Sequence, residues 1–160
     1  MSTQPNTKVI LPYRNFKFRV YFEGKSKPVT LMSKMTALKR SREVVEWRQG
    51  GESNTVRKLA GKTKYEPITL EKGLSLDTDF ERWADRVNKH GVIDLAQKGN
   101  EFRKELIVEV LHLDGEVVLK YKLHKCWVSE YTAIPDLDAN ANAVAIKTLI
   151  IENEGWEKDK

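Results

Sequence analysis

The chain has 160 residues, 40% of them hydrophobic and 32% charged. At about 150 residues per domain this is one domain, with enough apolar material for a core and a heavily charged surface, which excludes a disordered chain. Lys and Arg (28) exceed Asp and Glu (23) for a net charge of +5, and the single Cys126 excludes an intrachain disulfide and a thiolate zinc cluster.

Residues 1–14 are polar, carry Pro5 and Pro12, and read as an N-terminal arm. A single domain is expected over 15–156, with a short tail over 157–160. The segment from Met1 to Thr7 lacks the basic-then-apolar order of a signal peptide. No apolar run approaches the ~20 residues that cross a bilayer. The expectation is synthesis and assembly in the cytoplasm, without a membrane anchor.

Phe16, Phe18, Val20 and Phe22 alternate with Lys17, Arg19, Tyr21 and Glu23, which predicts a half-buried strand. Residues 28–38 give a weaker strand signal through Val29, Leu31 and Met35, and 43–49 a better one. From Gln49 to Lys64 the pattern stops. Gly50, Gly51, Ser53 and Asn54 favour turns. Arg57, Lys58, Lys62 and Lys64 follow, with Leu59 the one large aliphatic after Val56. A long extended loop is therefore predicted at about 49–64, and loops of that length are usually functional or disordered.

Ile68, Thr69 and Leu70 predict a short strand closed by Gly73. Thr78-Asp79-Phe80-Glu81 fits a capping box. Phe80, Trp83, Ala84 and Val87 recur at helical spacing, which predicts a helix over about 78–89 ended by Gly91. Residues 92–102 are ambiguous. Asp114-Gly115 sits between two alternating runs and predicts a hairpin with a two-residue turn. That register sets Val110 opposite Leu119, Val108 opposite Tyr121, Leu106 opposite Leu123 and Glu109 opposite Lys120. Apolar pairs then share one face and the charge pair lies on the other. Residues 143–152 predict a last strand, with Val144, Ile146, Thr148 and Ile150 on one face and Leu149 and Ile151 on the other. There is no internal repeat. Many short strands and one helix predict a mainly β fold: an antiparallel barrel or sandwich-like sheet, closed or nearly closed, with the helix packed outside.

Little of this points to catalysis. None of His90, His112 and His124 lies at metal-ligand spacing from another. On the hairpin register His124 faces Glu105 as an ordinary cross-strand pair. Cys126 reads as a small packed side chain. There is no G-x-S-x-G, P-loop or dinucleotide fingerprint, so no enzyme, cofactor or metal is expected. Asp136 to Asn142 alternates oxygen ligands like a calcium loop. But Ala141 stands where the sharp turn needs Gly, and Lys147 where a bidentate Glu belongs, so the segment reads as a turn. Lys34, Lys39, Arg40 and Arg42 join Arg57 to Lys64 in a basic region with Glu43, Glu46, Glu52 and Glu66 interleaved. Two readings stand: a charged surface that meets other protein surfaces, or a basic barrel that binds single-stranded nucleic acid.

Ordered motifs carry a resemblance. They begin with Asn15-Phe16-Lys17-Phe18-Arg19-Val20 and Glu43-Val44-Val45-Glu46-Trp47-Arg48-Gln49-Gly50-Gly51. Lys58-Leu59-Ala60-Gly61, Lys64-Tyr65-Glu66-Pro67-Ile68-Thr69-Leu70-Glu71-Lys72-Gly73 and Phe80-Glu81-Arg82-Trp83 follow. The last are Pro135-Asp136-Leu137-Asp138-Ala139, Val144-Ala145-Ile146-Lys147 and Glu154-Gly155-Trp156. From about Tyr13 to Trp156, in this order, the sequence resembles the inner tube protein of contractile injection systems. This is the tail tube family of contractile-tailed phages and phage-tail-like particles. The chain departs from it at Ala37, at Ala60 where Pro is usual, and at Lys147 where an acid is common.

The resemblance implies a barrel-like antiparallel fold with one helix. It implies hexameric rings that stack into a hollow tube, which sheath contraction drives through a target envelope. The implied partners are copies of the chain itself, the sheath protein, baseplate or spike and tube-cap proteins, and cargo in the lumen. The chain would act as part of an assembled tail or injection particle, as structure and not as an enzyme. The segment 49–64 is expected to order on stacking. Its candidate contacts between rings or subunits are Arg48, Gly50, Gly51, Arg57, Lys58, Leu59, Gly61, Lys62 and Lys64. Lys17 and Arg19, on the polar side of the first strand, are candidates for the lumen face. The alternatives are the nucleic-acid barrel and a tube-initiator paralogue at the baseplate.

Overall fold

Alternation and turn chemistry produce ten strands and one helix in the residues that the computed structural model describes, which are 16–25, 30–51, 54–73, 78–89, 102–140 and 146–159. In chain order these are β1 (Lys17–Phe22), β2 (Thr30–Leu31), β3 (Lys34–Met35), β4 (Arg40–Trp47), β5 (Arg57–Tyr65) and β6 (Ile68–Gly73). The helix α1 (Thr78–Lys89) precedes β7 (Lys104–Leu111), β8 (Val117–Thr132), β9 (Ile146–Glu152) and β10 (Trp156–Lys158). The expected N-terminal arm, Gly91 and residues 92–101 lie outside the described residues.

One sheet runs β2-β1-β7-β8-β9-β6-β3, with β10 also on β8; every pairing is antiparallel. Among the described residues this path is open. It ends at β2 and β3, two residues each, so the closed barrel is not formed by hydrogen-bonded strands. Such short edges leave few unpaired backbone groups. The long strand β8 holds the sheet together. Its first part pairs with β7 and β10, its second with β9. Two bulges bend it between these tasks. At one, His124 and Lys125 both lie against Glu105, with Lys125 at φ 49°; at the other, Ser129 is the extra residue. A bulge bends a strand and sharpens its twist, which lets one strand serve two parts of a folded-over sheet.

The β7–β8 register is the one the alternation predicts: Val110–Leu119, Val108–Tyr121, Leu106–Leu123 and Glu109–Lys120 are opposite one another. The turn differs. Gly115 N–H donates to His112 O (2.9 Å) and His112 N–H to Glu116 O (2.8 Å), so the loop is Leu113-Asp114-Gly115, three residues long. Gly115 holds the left-handed position (φ 91°) that closes a type I turn. The extra residue is absorbed by a shift between Val110 and Leu111, which restores the predicted pairing.

The helix packs Phe80, Trp83 and Ala84 into the core, where Phe22 stacks on Phe80 (4.8 Å) and meets Trp83 edge-on (5.2 Å). The rest of the core comes from the inward faces of β1, β6, β7, β8 and β9, including Val20, Leu70, Leu106, Val128 and Leu149. Glu81, read as the carboxylate of a capping box, is held instead by Lys147 Nζ on β9 and by the Tyr131 hydroxyl on β8 (3.1 Å). The hydrogen bond from Lys147 lowers the Glu81 pKa, against a smaller opposing effect of burial. The positive charge that departs from the family pattern is thus an internal tie between helix and sheet.

Candidate assembly interface

Strands β4 and β5 pair with each other and stand apart from the main sheet. Residues 57–64 were expected as loop; they belong to β5, and β4 and β5 are joined through residues 48–56. The reason is that the hairpin buries neither face, so it carries no alternation for a pattern to reveal. Trp47 lies opposite Arg57, Glu46 opposite Lys58, Val45 opposite Leu59, and Ser41 opposite Lys64. A shift between Arg42 and Val44 sets Glu43 against Gly61 and Lys62. A Cβ on Gly61 would come within 3.1 Å of both Glu43 Cβ and Val45 Cγ2. Gly61 is therefore a residue of close backbone approach within the hairpin.

The base of the hairpin is fastened. Glu66 N–H donates to Lys39 O (3.0 Å), and Asn153 Nδ2 donates to Glu66 O (3.2 Å). Tyr65 meets Trp156 edge-on at 6.2 Å, and the Arg40 guanidinium lies 5.4 Å from the same indole ring. Beyond the base the side chains are open to solvent. Val44 is 60% and Leu59 54% exposed, with Val45, Trp47 and Val56 also exposed. An isolated two-stranded hairpin is marginal in water, and a cluster of exposed aliphatic side chains on one marks a surface for a partner.

Charge adds direction. Residues 40–65 carry seven basic and three acidic side chains, so this segment holds four of the chain's five net positive charges. Arg40, Ser41, Arg42 and Thr63 line an open groove of about 350 Å³. Arg42 Nε donates to Thr63 Oγ1 (3.1 Å), which orients that guanidinium. Of the sequence candidates, Arg48, Gly50 and Gly51 fall in the connection, and Arg57, Lys58, Leu59, Gly61, Lys62 and Lys64 in β5. The exposed Val44, Val45 and Trp47 were not among the candidates, and Arg40 and Arg42 were named only as part of the basic region. The sequence pattern predicted a strand over 43–49 but did not mark its side chains as an exposed surface. A binder of single strands stacks bases on a row of rings; the described part of this hairpin exposes Trp47 among aliphatic side chains.

Lys17 and Arg19 are elsewhere, on β1. They share the face turned away from the core with Tyr21, opposite Leu111, Glu109 and Ile107 of β7. Glu109 is only 5% exposed, pairs with Arg19 and accepts the Tyr21 hydroxyl at 2.6 Å. Burial pushes the Glu109 carboxyl up, but the hydrogen bonds from Tyr21 and Arg19 outweigh it and hold its pKa below the usual 4.5. Burial, then the bond to Glu109, drives the Tyr21 phenol up to about 12. Nearby, Lys122 pairs with Glu23 (2.7 Å) and Lys120 with Asp159 (3.0 Å). His124 Nδ1 meets Glu105 at 2.6 Å, the expected cross-strand pair. Cys126 is fully buried, and burial pushes its thiol up to about 12, far from reactive.

Because the folded pKa of Glu109 is depressed, its stabilising effect is present above the ordinary carboxylate pKa and is lost as pH falls through the folded value. Thermal melts should show stability falling steadily below pH 4.5. Glu109→Gln should cost about 2 kcal/mol at pH 7 and flatten that acid limb; an unchanged limb in the variant would assign it to other carboxylates.

The fold is shared with chains of contractile particles. A chain of the anti-feeding prophage baseplate is similar over 99% of this chain and 97% of its own, at 22% identity and a TM-score of 0.72. A chain of an extracellular contractile injection system, in the extended PVC sheath–tube complex, is similar over 98% of each at 18% identity (TM-score 0.70). One from the anti-feeding prophage tube-terminating cap covers 100% of this chain and 95% of its own at 18% identity (TM-score 0.72). No curated protein sequence matches significantly. The family model of the T4-like virus tail tube protein gp19 matches residues 14–157, and the chain belongs to that family. It is a structural tube protein, as the order of motifs implied.

Proposed function

We propose that the chain forms hexameric rings that stack into the inner tube of a contractile injection system or phage-like tail. The observation that carries this is the β4–β5 hairpin: a paired, basic, aliphatic surface, fastened at its base and uncovered along its length. A surface of this kind lowers its free energy by docking on another copy. The match over residues 14–157 to a tail tube family supports the same reading. So does likeness to a chain of a baseplate with 6-fold symmetrisation. Sheath, baseplate and cap proteins are the partners, by analogy with the assemblies that hold its structural neighbours. The work is mechanical, with no catalytic step. No helix among the described residues is long and apolar enough to cross a membrane.

Lys17 and Arg19 are proposed to face the lumen. On that side of β1, β7 and β8 cations meet carboxylates at Arg19–Glu109, Lys122–Glu23 and Lys120–Asp159. Such a wall is wetted, yet attracts neither sign of cargo strongly, which suits a conduit. The test is electron microscopy and sedimentation velocity of the purified chain over a concentration series. Rings or tubes with a central hole are expected. A monomer at every concentration would remove the self-assembly reading.

A further inference from the structure

The exposed basic hairpin is matched elsewhere on the chain by an exposed acidic segment. After β8 the backbone leaves the sheet through residues 133–140. Ile134 and Leu137 there are 68% and 72% exposed, more than any other large hydrophobic side chain described. Asp136 and Asp138 beside them are exposed carboxylates. Asp138 Oδ1 accepts the Asn140 N–H at 2.9 Å, a local turn that holds the loop in shape. This surface is apolar with negative charge; the hairpin is apolar with positive charge. Both are uncovered within one copy, so neither occupies the other in the same chain.

We infer that the loop from Ile134 to Asp138 of one copy docks on the β4–β5 hairpin of the next, with Asp136 directed to the groove of Arg40 and Arg42. The inference rests on the self-assembly reading and adds the two surfaces that meet. Both guanidiniums are placed before any partner arrives, Arg40 by the Trp156 ring and Arg42 by Thr63. Pre-placed donors lose little freedom when a carboxylate enters, which favours an acidic guest over a neutral one. Ile134 and Leu137 then cover aliphatic area at Val44, on the face of β4 that also carries Arg40 and Arg42. The two surfaces differ, so the contact is head-to-tail. Each copy offers one hairpin and one loop, and the contact repeats from copy to copy without being used up. Opposite net charge also sets orientation, because loop against loop or hairpin against hairpin would place like charges together.

The test is a charge swap in the full chain. Arg42→Glu and Asp136→Arg alone should each raise the concentration at half assembly by about tenfold or more, since each puts like charges at the contact. The chain with both substitutions should return to within about threefold of the parent, because the pair is restored with its sign inverted. Leu137→Asp, which alters no hairpin residue, should lose assembly as the single charge variants do. Circular dichroism melts establish that each variant is folded. The proposal is overturned if the single variants assemble like the parent, or if the double variant stays as poor as the singles; self-assembly then stands and another surface meets the hairpin. Capture of a different acidic protein by the parent hairpin, with swap-insensitive self-assembly, would overturn it equally. A parent chain that never assembles removes both the contact and the reading beneath it.

Discussion

Replacing Val45 with Glu and Leu59 with Lys is expected to abolish tube formation and leave the subunit folded. These residues are opposite one another on β4 and β5. The substitution exchanges an apolar cross-strand pair for a pair of opposite charges, which also supports a two-stranded ladder. The hairpin should persist, and substitutions at such exposed positions change stability by no more than about 0.5 kcal/mol. Association should respond far more strongly. Burying a Val or Leu side chain at an interface contributes about 1.5–3 kcal/mol, and the same contact recurs at every copy in a ring or stack. The concentration threshold should rise by more than about a hundredfold. Sedimentation velocity and thermal melts on one sample separate the effects. Parent-like assembly by a folded variant would show that the aliphatic strip is not the contact.

That strip was hard to read in the sequence for a physical reason. Alternation becomes visible when one face of a strand is buried and the other is wet, as in β1, where Val20 and Phe22 are buried and Lys17 is exposed. The β7–β8 register was legible for the same reason, down to the Glu109–Lys120 pair. In β5 both faces are wet, so Arg57-Lys58-Leu59-Ala60-Gly61-Lys62 shows no period. Gly61 allows the close approach of Glu43 and Val45, which belong to a strand about 16 residues earlier in the chain and which no local pattern contains. Lys147 makes the same point. It departs from a motif where an acid is common, and its partner Glu81 is 66 residues away, on the helix. Asp114-Gly115 signalled a turn correctly but not its length, since a type I turn with a following bulge and a two-residue turn both place Gly at a left-handed position. Lys17 and Arg19 share with Tyr21 the face of β1 turned from the core. Their near neighbour Glu109 comes from a strand 90 residues on from Arg19, so the charge balance of that face was beyond the sequence pattern.

Trp83→Ala should have the opposite signature, with folding lost first and assembly lost because of it. The indole is 1% exposed and lies edge-on to Phe22 and Phe80. Its Nε1–H donates to Phe102 O at 2.6 Å. Removing a buried Trp side chain costs about 3–5 kcal/mol through lost transfer energy and the cavity left behind. The Phe102 carbonyl also loses its donor, a further loss of about 1 kcal/mol or more. A domain with roughly 5–15 kcal/mol of total stability retains little after that. The polar ties of α1, from Lys25 to Asp79 and from Lys147 to Glu81, cannot compensate. The Lys25–Asp79 pair is exposed and contributes little, and the half-buried Lys147–Glu81 pair is one polar contact against a whole buried indole. Docking of the helix therefore depends on Phe80 and Trp83. In urea the unfolding midpoint of Trp83→Ala should fall sharply, with Trp83→Phe between it and the parent, because Phe keeps a ring and loses the hydrogen bond. Thermal and urea midpoints within experimental error of the parent would show that the helix is held by its charged ends instead. With the hairpin variant beside it, the pair separates two roles in one chain: a core that must form before anything assembles, and a hairpin that the core holds out for the next copy.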